Sequence, residues 1–457
     1  MSKQALARLD NLAALVNEKT TSKKNAGKRY IGLEHIPSAS SRLNGFAEST
    51  DSISTNNVFR RGDILFGKLR PQLRKSVRAP FGGYCSTDIL VLRPRDDVDP
   101  VFVAFVLQSD VVFSEAIRTE EGTKMPRCSW STLKDSRVYC PEPARQVKIG
   151  LILSVIDQAI ERTEALIEKY QRIKAGLMHD LFTRGIGPDG KLRPPREQAP
   201  ELYQQTPIGW IPKEWAACRT LDLCYPVTKG TTPPTLEQEQ HESSIPFLRV
   251  ENLSFDGSLR FEGTETFVER KFHERELARS RVLPGDLVMN IVGPPLGKVS
   301  LVDDSYPEWN ANQAIAIFRL RDIAHRSYLL NFLLSEKAHR WFLARAKQTS
   351  GQVNLTLEMC NGLEIPFPQS PYEVSLISGR LECRAESERR LWKELRKLKA
   401  FKNGLMHDLL TGKVQVNPDS PMGADAQPHR VDYLRGSHQP RGRDEEAVGE
   451  TLSVDPT

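Results

Sequence analysis

The spacing of apolar residues alternates twice between short strand-like runs and a long helical period. In residues 1–145 the apolar runs Tyr30-Ile-Gly-Leu33, Asp63-Ile-Leu-Phe66 and Thr87-Asp-Ile-Leu-Val-Leu-Arg93 predict buried strands. Pro100-Val-Phe-Val-Ala-Phe-Val-Leu107 predicts a helix with proline in its first turn. From Pro143 the period becomes helical. Ile152, Ile156, Ala159, Thr163, Leu166, Tyr170, Ile173 and Leu177 step by four and three residues in alternation, a heptad seam with Glu161, Arg162, Glu164, Glu168 and Lys169 outside it. Gly185 predicts the stop, since glycine accepts the left-handed conformation that ends a helix. About 35 residues make a rod of roughly 50 Å, too long to be stable without a partner along its seam.

Residues 184–207 are rich in glycine, proline and charge (Gly185-Ile-Gly-Pro-Asp-Gly190, Arg193-Pro-Pro-Arg196) and predict a linker. A second region at 208–371 leads into a second long helix at 372–411, with Ile377, Leu381, Leu391, Leu395, Leu398 and Leu405 on its seam and the polar Arg384 and Glu388 in phase with them. The proline-, glycine- and aspartate-rich tail, 412–457, is predicted to be disordered.

The chain also repeats itself. Lys174-Ala-Gly-Leu-Met-His-Asp-Leu-Phe-Thr183 returns as Lys402-Asn-Gly-Leu-Met-His-Asp-Leu-Leu-Thr411, so that Gly176 corresponds to Gly404, 228 residues on in a chain of 457. Inside the two regions Leu33-Glu34 matches Val250-Glu251, Gly62-Asp63-Ile-Leu matches Gly285-Asp286-Leu-Val, and Ile89-Leu-Val-Leu-Arg93 matches Ile315-Ala-Ile-Phe-Arg319. Gly122-Thr123 lies beside Ser350-Gly351, and Val138-Tyr-Cys-Pro141 matches Leu363-Glu-Ile-Pro366. Anchors in one order at nearly one offset are the mark of an internal duplication. The predicted fold class is therefore α+β: two mixed α/β regions in tandem (1–145 and 208–371), each followed by a long helix (146–183 and 372–411). The first region has no counterpart of Ile211-Pro-Lys-Glu-Trp215, which predicts a shortened or divergent first edge.

Composition narrows the class. With 39% hydrophobic and 27% charged residues the chain can bury sizeable cores. No apolar run approaches the ~18 residues that span a bilayer, and no apolar leader follows Met1, so a cytoplasmic protein without a membrane partner is expected. Seven scattered cysteines with no Cys-x-x-Cys pair predict a reduced protein with no zinc site. A net charge of +6 permits a polyanionic partner without requiring one.

Catalytic readings fail on spacing. Gly293-Pro-Pro-Leu-Gly-Lys-Val-Ser300 is one residue short of a phosphate loop, and its two prolines remove backbone donors, so a turn between strands is predicted. His179-Asp180 and His407-Asp408 have no further His or Cys at helical spacing to complete a metal site, which leaves helix packing. Gly176 and Gly404, each costing ~1 kcal/mol against alanine in mid-helix, suggest a close helix–helix approach. No Asn-Pro-Pro-aromatic motif and no Gly-x-Gly cofactor loop is present, which argues against methyl transfer by this chain. Binding residues are more promising. Lys68, Arg70, Gln72, Arg74 and Lys75 crowd one stretch, and Lys124 and Arg127 another. In the second region Thr228, Lys229, Asn290, Lys298, Lys347 and Gln348 form the corresponding polar loops. Lysine and arginine position a protein on phosphates, and arginine, asparagine and glutamine read base edges. Any one of these cations is as readily a solvated loop residue.

Two variable regions, each followed by a long helix ending in Lys-x-Gly-Leu-Met-His-Asp-Leu-[Phe/Leu]-Thr, with Pro143-x-x-Gln146-x-x-Ile149 at the first helix start, resemble the specificity (S) subunit of type I restriction–modification systems. The second helix starts with Pro371-Tyr-Glu-Val374 and lacks the glutamine. The resemblance implies two target recognition domains that each read half of a split sequence in double-stranded DNA. It implies helices packed as an antiparallel coiled coil with pseudo-twofold symmetry, through Ile152, Ile156, Leu166, Tyr170, Gly176, Leu177 and His179 on one and Leu391, Leu395, Leu398, Gly404, Leu405 and His407 on the other. It also implies docking of two methyltransferase (M) subunits and of restriction (R) subunits. S-adenosylmethionine and ATP are then used by those partners, and this chain is not an enzyme. The alternatives are a helical scaffold without DNA specificity and the recognition part of a fused methyltransferase or nuclease.

Overall fold

In the first region the run Ile64–Gly67 is apolar at every position because both of its faces are covered. It lies third in an antiparallel sheet ordered 13–15, 89–94, 64–67, 76–78. Alternate side chains of a strand point to opposite faces. Ile64, Phe66 and Leu92 thus enter a core with the helices Pro100–Val106 and Asp110–Arg118, while Leu65, Val77, Ile89 and Val91 enter a second core. Ile31, Phe59 and Cys85 of a five-stranded sheet share that second core. All pairings in the five-stranded sheet are antiparallel except that of Arg29–Ile31 with Gly83–Cys85. The computed structural model describes residues 5–21, 28–48, 55–122, 124–233, 244–349 and 352–420; the stretch of tail beyond 420, and Thr123 and Ser350-Gly351 among the anchors, lie outside these.

The chain divides into two units, 1–161 with 396–457 and 162–395, so each long helix contributes to both. The helices run Pro143–Thr183 and Pro371–Leu410. In the first unit Ile149 and Leu153 of one helix share a core with Leu405, Met406, Leu409 and Leu410 of the other. Leu6–Arg8 pairs with Arg137–Tyr139 there, as Trp215–Arg219 pairs with Glu364–Pro368 in the second unit. The first region has an edge strand of 3 residues where the second has one of 5.

In the second unit the same antiparallel order recurs as 228–229, 315–318, 287–290, 299–301. Ser244–Leu248 runs parallel to Trp309–Ala311, as Arg29–Ile31 does to Gly83–Cys85. The duplicated Gly-Asp anchors explain themselves. Gly62 and Gly285 have φ of +94° and +93°, and the turn aims the next aspartate inward. Asp63 accepts from the Arg60 amide and from Arg93 Nε and Nη2, each at 2.8 Å. Asp286 accepts from the Leu283 amide at 2.8 Å and from Arg319 at 2.9 and 2.7 Å. The 184–207 stretch is more than a tether: Ile186 and Tyr203 are buried, and Arg193 pairs with Glu373 at the start of the second long helix. Gly185, at φ +65°, has no room for a Cβ against Trp215 and Glu373, which is why the helix stops on a glycine. Met178, Leu181 and Phe182 meet Val374, Ile377 and Leu381 in this unit's core, where the Phe182 ring stands edge-on to Tyr328 and Phe332.

The first long helix is rotated from the expected seam by one residue. Its buried line follows Leu153, Asp157, Ile160, Ile167, Met178 and Leu181, with Glu164 and Lys174 half-buried in phase. Of the expected seam Thr163 is buried, and Ile152, Ile156, Ala159, Tyr170 and Leu177 are half-buried, whereas Leu166 and Ile173 are 43% and 40% exposed. Counting apolar residues selects the wrong stripe because the true seam carries paired charges. On the second helix the line runs Val374, Ile377, Leu381, Arg384, Glu388, Leu391, Leu395, Leu398, Lys402, Leu405 and Leu409, all buried or half-buried.

Candidate nucleic-acid interface

The fold brings the two basic stretches of the first region together. The Arg70 amide donates to Pro126 O at 2.8 Å, the Cys128 amide to Lys68 O at 3.0 Å, and Leu69 bridges Arg127. Arg70 and Arg74 both take left-handed backbone (φ +50° and +51°) around the short turn Pro71–Leu73. Their side chains then divide. Arg74 is committed to the fold, ion-paired to Asp110 at 2.6 Å, bonded to Gln108 O and set over the Phe113 ring. Lys75 Nζ donates to Leu33 O at 2.6 Å, and Arg127 pairs with Asp88 at 2.9 Å. Arg70, Gln72 and Lys124 are exposed, and among the described residues their side chains have no hydrogen bond or ion pair. Lys68 lines a shallow cleft of about 640 Å³ with Arg95, Lys134 and Trp130. A second cleft, of about 490 Å³, is lined by Lys28, Arg29, Arg60 and Arg61 with Tyr84, residues too scattered in sequence to stand out there.

In the second region a small sheet joins Val292–Gly293, Gln352–Asn354 and Lys347–Thr349, placing Lys347 and Gln348 near the 290–298 loop. Register sets Lys229 opposite Ala316, itself opposite Met289, one residue from Asn290. Asn290 is fully buried: its amide donates to Val292 O and Pro295 O, and its Oδ1 accepts from the Lys298 amide at 2.7 Å. It braces the loop and is not free to read a base. This loop is the turn between strands 292–293 and 299–301. Thr228, Lys229 and Lys347 are exposed and Lys298 is half-buried. What these surfaces offer chemically is cationic and amide contact. Among the described residues no group of three or more His, Cys, Asp or Glu side chains could hold a metal, and no single helix is long and apolar enough to cross a membrane.

The repeated helix motif plays two parts. Its first residue is buried in one unit and half-buried in the other: Lys402 Nζ pairs with Asp157 at 2.6 Å, and Lys174 Nζ with Glu388 at 3.4 Å. All four side chains are 12% exposed or less. Removing one partner of such a pair strands the other charge. Gly176, His179, Gly404 and His407, in contrast, are exposed, and a Cβ on either glycine would meet nothing within 4 Å. The glycines do not mediate a close approach of the two helices. The lysines' burial could have been suspected from their place in the repeat.

No family model matches the sequence. The chain is 21% identical over 338 residues to the type I restriction enzyme MjaVIII specificity subunit of Methanocaldococcus jannaschii, covering 73% of this chain and 75% of that one. It is 24% identical over 199 residues to the putative type I restriction enzyme MjaX specificity subunit of the same organism, covering 41% and 44%. Among solved structures, the S subunit of a type I restriction–modification system from M. genitalium superposes with a TM-score of 0.54 at 15% identity, over 89% of this chain and 96% of that one. A chain from a structural study of type I restriction–modification complex assembly and conformational transition gives 0.50 at 17% identity, over 90% and 98%. In sequence this chain resembles curated type I restriction enzyme specificity subunits, and it shares the fold of solved S subunits.

Proposed function

We propose that this chain is the non-catalytic specificity subunit of a cytoplasmic type I restriction–modification complex. Its recognition domains, residues 1–145 and 208–371, each read one half of a bipartite target in double-stranded DNA. Its helices pair antiparallel about a pseudo-twofold axis and carry two M subunits, to which R subunits are added; S-adenosylmethionine and ATP serve those partners. The observation that carries the reading is the duplication itself. Each unit repeats one strand order, one buried aspartate paired to an arginine and one enclosed ion pair at the lysine of the helix motif. Such a chain presents two similar frames with different loops, as a split DNA sequence requires. Arg70, Gln72 and Lys124 in one region, and Thr228, Lys229, Lys298, Lys347 and Gln348 in the other, are the loop positions through which contact is made. The exposed motif positions support the docking of two copies of one partner: Gly176 and His179 recur as Gly404 and His407.

The test is selection from random duplex DNA by this chain in complex with its M subunits. A split motif with one fixed gap is the expected result. A stable complex that enriches no sequence overturns the reading in favour of a scaffold without DNA specificity.

A further inference from the structure

The loop 39–43 of the first region reaches the first long helix beside a buried charge. Ala39 takes φ +51°, turning the chain so that Ser40, Ser41 and Arg42 follow on the helix side. Ser41 Oγ donates to Asp157 Oδ2 and accepts from Lys402 Nζ at 3.2 Å, so it completes the Asp157–Lys402 pair. Four residues further along the helix Arg42 pairs with Glu161, whose side chain is 19% exposed. The first region is thus held to the helices twice. One attachment is the apolar core around Ile149, Leu153, Leu409 and Leu410, and the other is this polar clamp, about 12 Å along the axis from Leu153 to Glu161. Two separated points on one helix remove the rotation that a single greasy contact allows. In the second unit, among the described residues, the ion pair finds its third partner within the helices: Gln171 donates to Glu388 at 3.3 Å.

We propose that Ser41 and Arg42 are positioning residues that clamp the first recognition domain to the spacer helix at the Asp157–Lys402 pair, and so set the number of base pairs allowed between the two half-sites. The proposal rests on the DNA-specificity reading. The clamp acts through domain orientation and touches no base, so its loss leaves both half-motifs intact and blurs only their separation.

The experiment compares the wild-type chain, the double variant Ser41→Ala/Arg42→Ala and the conservative Ser41→Thr, each in complex with M subunits, in selection from random duplex DNA. The wild type enriches one gap length. The double variant keeps both half-motifs and loses about five- to tenfold of its preference for that gap over gaps one base pair longer or shorter. Ser41→Thr, which keeps the hydroxyl, retains the wild-type gap. Hydrogen exchange without DNA gives an independent readout: amides of residues 39–43 exchange faster in the double variant, while those of Ile64–Phe66 do not. A wild-type split motif whose gap preference is unchanged in the double variant overturns the clamp alone. A wild type that enriches no split motif overturns the DNA reading beneath it. Loss of protection across Ile64–Phe66 as well would mean that the contacts hold up the fold, which also overturns a positioning role.

Discussion

Asn290 and Arg70 carry side chains equally suited to a base edge, yet they lie at opposite ends of burial. Asn290 is spent on three hydrogen bonds that shape the 290–298 loop, while Arg70 projects from a left-handed turn with no partner among the described residues. Asn290→Ala should lower stability by about 2 kcal/mol, by stranding buried backbone groups. Arg70→Ala should leave thermal unfolding unchanged and reduce the salt dependence of DNA binding by about one ion, if Arg70 meets a phosphate. An Asn290→Ala chain that unfolds like wild type would remove the bracing role. Asp256 supplies a pH dependence. Burial alone would raise its pKa, but hydrogen bonds from Ser254 and Ser258, then Arg260, prevail and hold it at about 2, below its ordinary 3.8. A carboxylate depressed in the folded state stabilises above its unfolded pKa, so this contribution is present above about pH 4 and fades as pH falls toward 2. Asp256→Asn should flatten that part of the acid limb in denaturant unfolding measured between pH 5 and pH 2.5; parallel curves would refute it.

The two long helices show how an element can be recognised while its facing is misjudged. Both helices and their heptad period are plain in the sequence, but the first turns a line containing Asp157 and Lys174 toward its partner and leaves Leu166 and Ile173 outside. A charged residue is tolerated in such a seam only when an opposite charge meets it, and that partner lies more than two hundred residues away in sequence. Ile167→Ala should therefore cost about 2–4 kcal/mol. Leu166→Asp should stay within about 0.5 kcal/mol of wild type in unfolding, yet weaken retention of M subunits on co-purification. The opposite order of stabilities would restore the apolar seam. The exposed repeated glycines fit the same logic: a Cβ built on either would meet nothing within 4 Å beyond its own helix backbone, so neither serves to let the second helix approach.

Across the whole molecule, each unit draws on both halves of the duplication, since the first joins 1–161 to 396–457 and the second runs from 162 to 395. Helices of 41 and 40 residues are each about 60 Å long, and under the proposed function that length would be the ruler that sets the gap between half-sites, which lie ~34–36 Å apart when separated by one turn. Deleting one turn (about 5.4 Å) from the 146–182 helix and a matching turn from its partner should change the preferred gap by about 1–2 base pairs in the random-duplex selection. An unchanged gap would sink the ruler.

The repeat, the alternation of regions with helices, the strands at Ile64–Gly67 and Ile89–Pro94 and the proline-led helix at 100–106 were all legible from local spacing, because period and turn chemistry are properties of neighbours. Legible too were the cationic stretches 68–75 and 123–127. Their meeting in space was not, nor was the division of their side chains into Arg74, Lys75 and Arg127, tied to the fold, and Arg70, Gln72 and Lys124, left exposed. That division, the one-residue rotation of the first helix and the reach of Ser41 to Asp157 were decided by tertiary structure, for one physical reason. Whether a polar side chain is buried depends on a partner brought from elsewhere in the chain, and apolar periodicity records no such partner.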